Sequence, residues 1–175
     1  MAKIIAFSGK AGSGKDTAAN LLKEDFPEIT HLSFAAPLKE MSSHYFPSCD
    51  VVKKDPYSRE ILQGLGSFVR EQVHEDYWVD KLIAQIEDKP DALYVITDLR
   101  YKNEYTALRF LSPQHEVYII RLEGRRYEQS DKAMSHPSET DLDTVRFTNV
   151  YNNTGTLEML HSYLKETLHE IYSRK

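Results

Sequence analysis

The run Gly9-Lys10-Ala11-Gly12-Ser13-Gly14-Lys15-Asp16-Thr17 constrains the chain more than any other stretch. Before it stands Ile4-Ile5-Ala6-Phe7, a short apolar segment with the character of a buried strand, and after it Ala18-Ala19-Asn20-Leu21-Leu22-Lys23 reads as a helix. A strand, a glycine-rich turn and a helix with lysine at its start are the parts of a phosphate-binding loop. Glycines let the backbone curl so that successive N–H groups face anionic oxygens. The helix N-terminus adds its partial positive charge, and Lys15 can reach the β- and γ-phosphates of a nucleotide. Gly9, Ala11, Gly12, Ser13, Gly14, Lys15, Asp16 and Thr17 are therefore the candidate phosphate-binding residues. One position departs from the G-x-x-x-x-G-K-S/T pattern: Asp16 stands where a hydroxyl residue usually meets Mg²⁺, with Thr17 next. The plain alternative is an ordinary glycine-rich turn, which the strand–loop–lysine–helix context disfavours.

The rest of the chain repeats that alternation. Apolar strand-like runs fall at 4–7, 29–34, 92–97, 115–121 and 147–151, and helical periodicity at 18–23, 35–41, 58–74, 78–86, 102–110 and 156–172. Residues 46–56 carry two prolines and read as a loop, and Asn152-Asn153-Thr154-Gly155 as a turn. Residues 124–139 are polar and charged without apolar periodicity, which suggests a mobile flap over roughly 122–139. Alternating strands and helices imply a parallel sheet covered on both faces, a three-layer α/β fold of the P-loop NTPase kind. Neither repeats nor a linker interrupt it, so residues 1–175 are expected to form one domain.

Composition narrows the classes further. A hydrophobic share of 41% in 175 residues suits one ordinary globule with a real core. A net charge of −5 argues against a nucleic-acid polymer as partner, though not against a small phosphorylated ligand in a locally basic cleft. The lone Cys49 cannot form an internal disulfide and lacks zinc-site company, so a reducing cytoplasm is the expected setting. No apolar run reaches membrane-spanning length, and the N-terminal residues are spent on the first strand rather than a signal peptide.

Beyond the loop, Asp98 closes an apolar strand at the end where open α/β sheets place their ligands. A carboxylate there can hold Mg²⁺ directly or through water, and Arg100 can face a phosphate; the alternative is a helix-capping Asp beside a solvated Arg. The helix at 58–74 sorts by angle: Ile61, Leu62, Leu65, Phe68 and Val69 on a core arc, Arg59, Gln63, Gly66 and Arg70 on a second stripe, and Glu60, Ser67 and Glu71 toward solvent. The arginine stripe with its amide suits a phosphate and a planar base, or is simply a second solvated face. Arg121, Arg125 and Arg126 flank the start of the flap, where cations can neutralise charge in phosphoryl transfer. His136 and Glu139, in His136-Pro137-Ser138-Glu139, suit a metal or acid–base role, a capping box at Ser138, or a plain turn.

Together these landmarks resemble the bacteriophage deoxynucleoside monophosphate kinase family. The matching stretches are Ser8-Gly9-Lys10 through Gly14-Lys15-Asp16-Thr17, Phe34-Ala35-Ala36-Pro37-Leu38-Lys39, and Arg59 through Leu62-Gln63 to Gly66. They continue with Trp78-Val79, Thr97-Asp98-Leu99-Arg100 with Asn103-Glu104, His136-Pro137-Ser138-Glu139, and Asn153-Thr154-Gly155-Thr156-Leu157. The resemblance implies ATP- and Mg²⁺-dependent phosphorylation of a deoxynucleoside monophosphate to the diphosphate. It implies that Lys15 and the loop bind ATP phosphates, that Asn153 lies near the ATP base, and that Asp16 and Asp98 position the metal. Arg59, Gln63 and Arg70, with Lys39 and Trp78, would face the acceptor nucleotide, while Arg100, Arg121, Arg125 and Arg126 would close over the transferred group. It implies a cytoplasmic protein, in the host cytoplasm if of phage origin, a monomer or homodimer with no membrane partner. Two other readings stay open: a kinase for another phosphorylated acceptor, such as phosphomevalonate or dephospho-coenzyme A, and a nucleotide-binding switch without turnover.

Overall fold

A computed structural model describes residues 1–47, 56–125 and 135–173. The strands are β1 (Lys3–Ser8), β2 (Thr30–Leu32), β3 (Leu93–Leu99), β4 (Glu116–Glu123) and β5 (Asn149–Asn152). They form one sheet in the order β2-β3-β1-β4-β5. β1 runs parallel to both β3 and β4, and β4 parallel to β5. The most apolar strand of the sequence is thus the central one, buried at every position after Lys3. A strand apolar on both faces is stable only where both faces are covered, which is the property of parallel sheets.

Seven helices accompany the described strands: α1 (Lys15–Asp25), α2 (Ala36–Tyr45), α3 (Pro56–Gln72), α4 (Tyr77–Asp88), α5 (Lys102–Leu111), α6 (Pro137–Thr140) and α7 (Leu157–Ser173), with a 3₁₀ turn at Asp141–Thr144. The chain divides into two compact units, Met1–His31 with Lys89–Lys175, and Leu32–Asp88. In the first, Ile5 and Phe7 of β1, Val95 of β3, and Ile120 and Leu122 of β4 meet Ala18 and Leu22 of α1 and Leu160, Leu164 and Leu168 of α7. The four-residue spacing of those three leucines puts them on one side of α7, and the two-residue spacing of the strand positions puts them on one side of the sheet. The alternate positions Ile4, Ala6, Tyr94 and Ile96 are equally buried on the other side, and α5 packs on β4.

In the second unit α2, α3 and α4 pack on one another around Leu38, Val69 and Trp78, with Met41, Leu62, Leu65 and Tyr77 against them. The sequence arc for α3 is corrected here. Leu62, Leu65 and Val69 turn inward, but Phe68 is 57% exposed and Gly66 is buried in its place. A Cβ at Gly66 would sit 3.1 Å from Leu38 Cδ2, and the Trp78 indole N–H donates to the Gly66 carbonyl at 3.3 Å. The absent side chain lets α2 and α4 close on α3, which rotates the buried stripe away from Phe68.

Both ends of the stretch 122–139, expected as a flap, carry regular structure. Leu122 and Glu123 belong to β4, with Leu122 fully buried, and α6 begins at Pro137. Residues 126–134, with Arg126, lie outside the described residues, as does Cys49.

The α7 stripe gives a test of the sheet–helix layer. Leu164→Ala, at a residue 1% exposed, should destabilise the protein by about 2–5 kcal/mol through the cavity it leaves. Leu157→Ala, 52% exposed on the same helix, should stay within about 0.5 kcal/mol. Urea unfolding of the two variants makes the comparison; equal costs would dissociate α7 from the core.

Candidate active site

β1 ends at Ser8 and the chain turns at once through Gly9, with φ of 144°. A Cβ there would collide with the Leu122 carbonyl oxygen and the Ser13 side chain. Gly14, at φ of 99°, is the N-cap of α1, and a Cβ on it would strike the Asn153 side-chain amide. Both glycines are therefore required by left-handed backbone and by close neighbours together. Asn153 is 3% exposed and its Nδ2 donates to the Ser13 carbonyl at 2.9 Å. It clamps the loop from the β5–α7 connection. Arg125 ties the same connection down, donating to the Gly155 carbonyl from an exposed position just after β4.

Lys15 lies at the first turn of α1 and is only 7% exposed. Its ammonium donates to the carbonyls of Gly9 at 2.7 Å and Lys10 at 2.8 Å. Burial, and then the Arg100 guanidinium, hold it down to about 8 from an ordinary 10.5, with Arg121 adding to them against Glu139 and Asp16, which pull it up. Burial and the two guanidiniums thus work against its positive charge, which marks Lys15 as a candidate site residue.

The parallel register delivers two arginines to that place. Ser8 pairs with Leu99 on one side and with Arg121 on the other, so Arg100 and Arg121 leave neighbouring strands at the level where β1 becomes the loop. Arg100 is fixed from behind by Glu104, a carboxylate 1% exposed that accepts the N–H of Arg100 at 2.8 Å and of Tyr101 at 3.0 Å. Arg121 donates to the Ser8 hydroxyl at 3.1 Å and lies 5.3 Å over the Phe147 ring. Lys15, Arg100 and Arg121 thus come together as the sequence anticipated.

An acidic turn faces these cations. Glu139 accepts the Ala11 N–H at 3.0 Å on one oxygen and pairs with Arg100 through the other. Asp143 accepts from Lys10 Nζ at 2.6 Å and from Arg121 at 3.2 Å. Lys10 also donates to the Glu139 carbonyl. Asp141 reaches away from the loop and accepts the Lys102 N–H at 2.7 Å. His136 caps α6, its Nδ1 accepting the Ser138 N–H at 3.2 Å. The N-cap is therefore His136 and not Ser138, where a capping box was one of the alternatives. Sequence reasoning passed over Lys10, Glu104 and Asp143; Glu104, four residues after Arg100, carried the one readable signal, the spacing of a helix-start carboxylate.

Asp16 and Thr17 are exposed at the start of α1, and Asp98 is half-buried at the end of β3. Among the described residues no group of three or more His, Cys, Asp or Glu gathers to hold a metal. The stripe residues Arg59, Gln63 and Arg70 are half-buried on α3, Lys39 is exposed on α2, and Trp78 is 2% exposed inside the second unit. No helix among the described residues is long and apolar enough to cross a membrane.

Known proteins bear on this arrangement in three ways. No family model matches the chain. Among solved structures it is similar to a shikimate kinase from Aquifex aeolicus (TM-score 0.50, 13% identity, 98% of this chain and 99% of that one). It is similar also to the APS kinase of Mycobacterium tuberculosis in complex with AMPPNP and APS (0.50, 14%, 96% and 98%) and to the tunicamycin resistance protein of Deinococcus radiodurans (0.50, 14%, 96% and 96%). These likenesses establish the α/β fold of P-loop kinases. In sequence, the chain is 31% identical over 172 residues to the uncharacterized protein ORF76 of Ictalurid herpesvirus 1 (strain Auburn), a match spanning 96% of this chain and 68% of the viral one. The chain belongs to the family of that herpesvirus protein.

Proposed function

We propose that this protein is a P-loop kinase that transfers the γ-phosphoryl group of ATP to a deoxynucleoside monophosphate. The observation that carries the reading is the buried Lys15 inside a glycine-turned loop with Arg100 and Arg121 delivered beside it from β3 and β4. Phosphoryl transfer asks little covalent chemistry of a protein; it asks for alignment of two phosphates and for fixed positive charge around the transferred group. A loop that binds phosphates without turnover has no use for two further guanidiniums held at its mouth. The solved proteins of similar fold include kinases named for small acceptors, shikimate and APS, which supports a small acceptor here.

In this reading the loop N–H groups and Lys15 hold the donor's β- and γ-phosphates, and Arg100 and Arg121 neutralise the equatorial oxygens. Asp16 and Asp98 would hold Mg²⁺, at least through water, and the ion would supply positive charge against the donor's phosphates. Asn153 contributes to donor binding through the Ser13 carbonyl it holds. Arg59, Gln63 and Arg70 take the acceptor, Gln63 reading the base edge. Lys39 adds an exposed cation, and Trp78 acts through the Gly66 carbonyl that its indole engages. Arg125 and Arg126 belong to the segment that closes over the reaction. The whole chain works as a single kinase domain.

The deciding assay is ADP release with the four deoxynucleoside monophosphates, their ribo forms, phosphomevalonate and dephospho-coenzyme A. Turnover with a deoxynucleotide is expected; turnover only with one of the last two would change the acceptor, and ATP binding without turnover would make the protein a switch. Lys15→Met should keep the fold and lose at least about a hundredfold in turnover, because a preorganised cation at the β/γ-phosphates is gone.

Lys15 also sets a pH dependence. Below pH of about 8 the ammonium is charged and ATP affinity should be flat; above it, affinity should fall by up to about tenfold per pH unit as the free protein loses the proton that bound phosphate requires. Stability without nucleotide should move oppositely, rising between about 8 and 10.5, where the folded chain has released that proton and the unfolded chain still holds it. Calorimetric titration and thermal melts across that range test both, and Lys15→Met should abolish both trends.

Loss of acceptor contacts should leave ATP affinity untouched. Arg59→Ala and Arg70→Ala should each reduce kcat/KM for the acceptor by about 30- to 1000-fold, the scale of a lost charge-assisted contact. Gln63→Leu should reorder the preferred bases instead. Acceptor titrations at saturating ATP that leave all three variants at wild-type values would remove α3 from the acceptor site.

A further inference from the structure

The acidic turn from Glu139 to Asp143 contacts the phosphate loop in a way that transfer chemistry does not call for. A loop of this kind recognises phosphate by its backbone N–H groups, and each N–H offers one proton. The Ala11 N–H is already given to a carboxylate, Glu139. The other Glu139 oxygen holds Arg100, and the same turn supplies Asp143 to Lys10 and Arg121. Each carboxylate therefore joins one loop residue to one arginine from a strand end. The carboxylate of Glu139 is 8% exposed and that of Asp143 43% exposed, so the first is seated in the loop and the second lies over its rim.

We propose that this turn is an internal phosphate mimic, an acidic latch whose Glu139 carboxylate occupies the terminal-phosphate position of the loop until a nucleoside triphosphate displaces it. The proposal rests on the reading of the loop as a donor-phosphate site and adds how that site is regulated. A carboxylate and a phosphate oxygen are both anions that accept from backbone N–H and guanidinium groups, and they cannot share the single Ala11 proton. Displacement frees Arg100 from Glu139, and Arg121 and Lys10 from Asp143, to turn to the incoming phosphates. Nucleotide binding is thereby coupled to release of the turn. Until then the two carboxylates offset part of a concentrated positive charge. The donor's apparent affinity is its intrinsic affinity multiplied by the fraction of molecules in which the latch is open.

Binding of ATP and of inorganic tripolyphosphate, measured by calorimetry on the full chain, tests this without turnover. Glu139→Gln should tighten both by about tenfold, since a neutral amide competes for the Ala11 N–H and Arg100 far less than a charged group does. Asp143→Asn, the second variant, should tighten them in the same direction. Asp141→Asn, on the same turn but bonded to Lys102, should match the wild type. Thermal melts establish that each variant is folded. Unchanged or weaker binding in Glu139→Gln and Asp143→Asn overturns the latch and makes the carboxylates struts for Arg100 and Arg121. If no chain, wild type included, binds either probe, the phosphate-loop reading falls with it; if the wild type binds and the variants do not bind more tightly, the latch alone falls.

Discussion

Four cations converge where β1 becomes the glycine loop. Lys10 and Lys15 come from the loop and helix, Arg100 and Arg121 from the adjoining strands. Like charges repel by about 4 kcal/mol for a pair at 4 Å at protein-surface dielectric, and by less as they separate. The site persists because each charge is answered locally: Lys15 by two backbone carbonyls, Arg100 by Glu139, and Lys10 and Arg121 by Asp143. Nearly every other feature of the first unit is arranged around keeping those charges together. Burial first, and the Arg100 guanidinium after it, still hold the Lys15 pKa below its ordinary value.

The sheet makes the convergence possible. A parallel strand exits at the same level as its neighbours, so whatever follows Ser8, Leu99 and Arg121 is gathered at one edge. Antiparallel pairing would send neighbouring strand ends to opposite edges. The helices then secure the loop from beneath, with Ala18 and Leu22 of α1 and the leucines of α7 anchoring the elements on either side of the Asn153 clamp. Fold and site are one construction: the same register that buries Ile5 and Phe7 carries Arg121 to the mouth of the loop. The second unit has its own small core, organised by the Gly66 contact and the Trp78 indole.

Much of this was legible in the residues alone because it rests on local rules. Gly9, Gly12 and Gly14 all take positive φ, as a loop curled around an anion requires. The strand–helix alternation follows from hydrophobic period, and the core strands fall within two residues of the runs that announced them. Asp98 and Arg100 were placed by the general geometry of strand ends in open α/β sheets. Errors arose where a neighbour decides. Phe68 sits on the apolar arc of α3 by angle, yet Gly66 admits Leu38 and turns the helix so that Phe68 faces out. Composition alone drew a flap from 122, but the pairing of Leu122 with Tyr151 holds that residue in the sheet.

By itself the sequence determined the glycine-turned loop, the α/β class and the identity of the two strand-end arginines, because backbone conformation and hydrophobic period are properties of residues within a few positions of one another. The tertiary structure alone decided that Glu139 would meet Ala11, that Asp143 would join Lys10 to Arg121, and that Asn153 would clamp Ser13. Those contacts bridge 22 to 140 positions of chain. No spacing rule reaches so far, since a carboxylate's partner is fixed by which strand ends the sheet brings together and not by what precedes it in the chain.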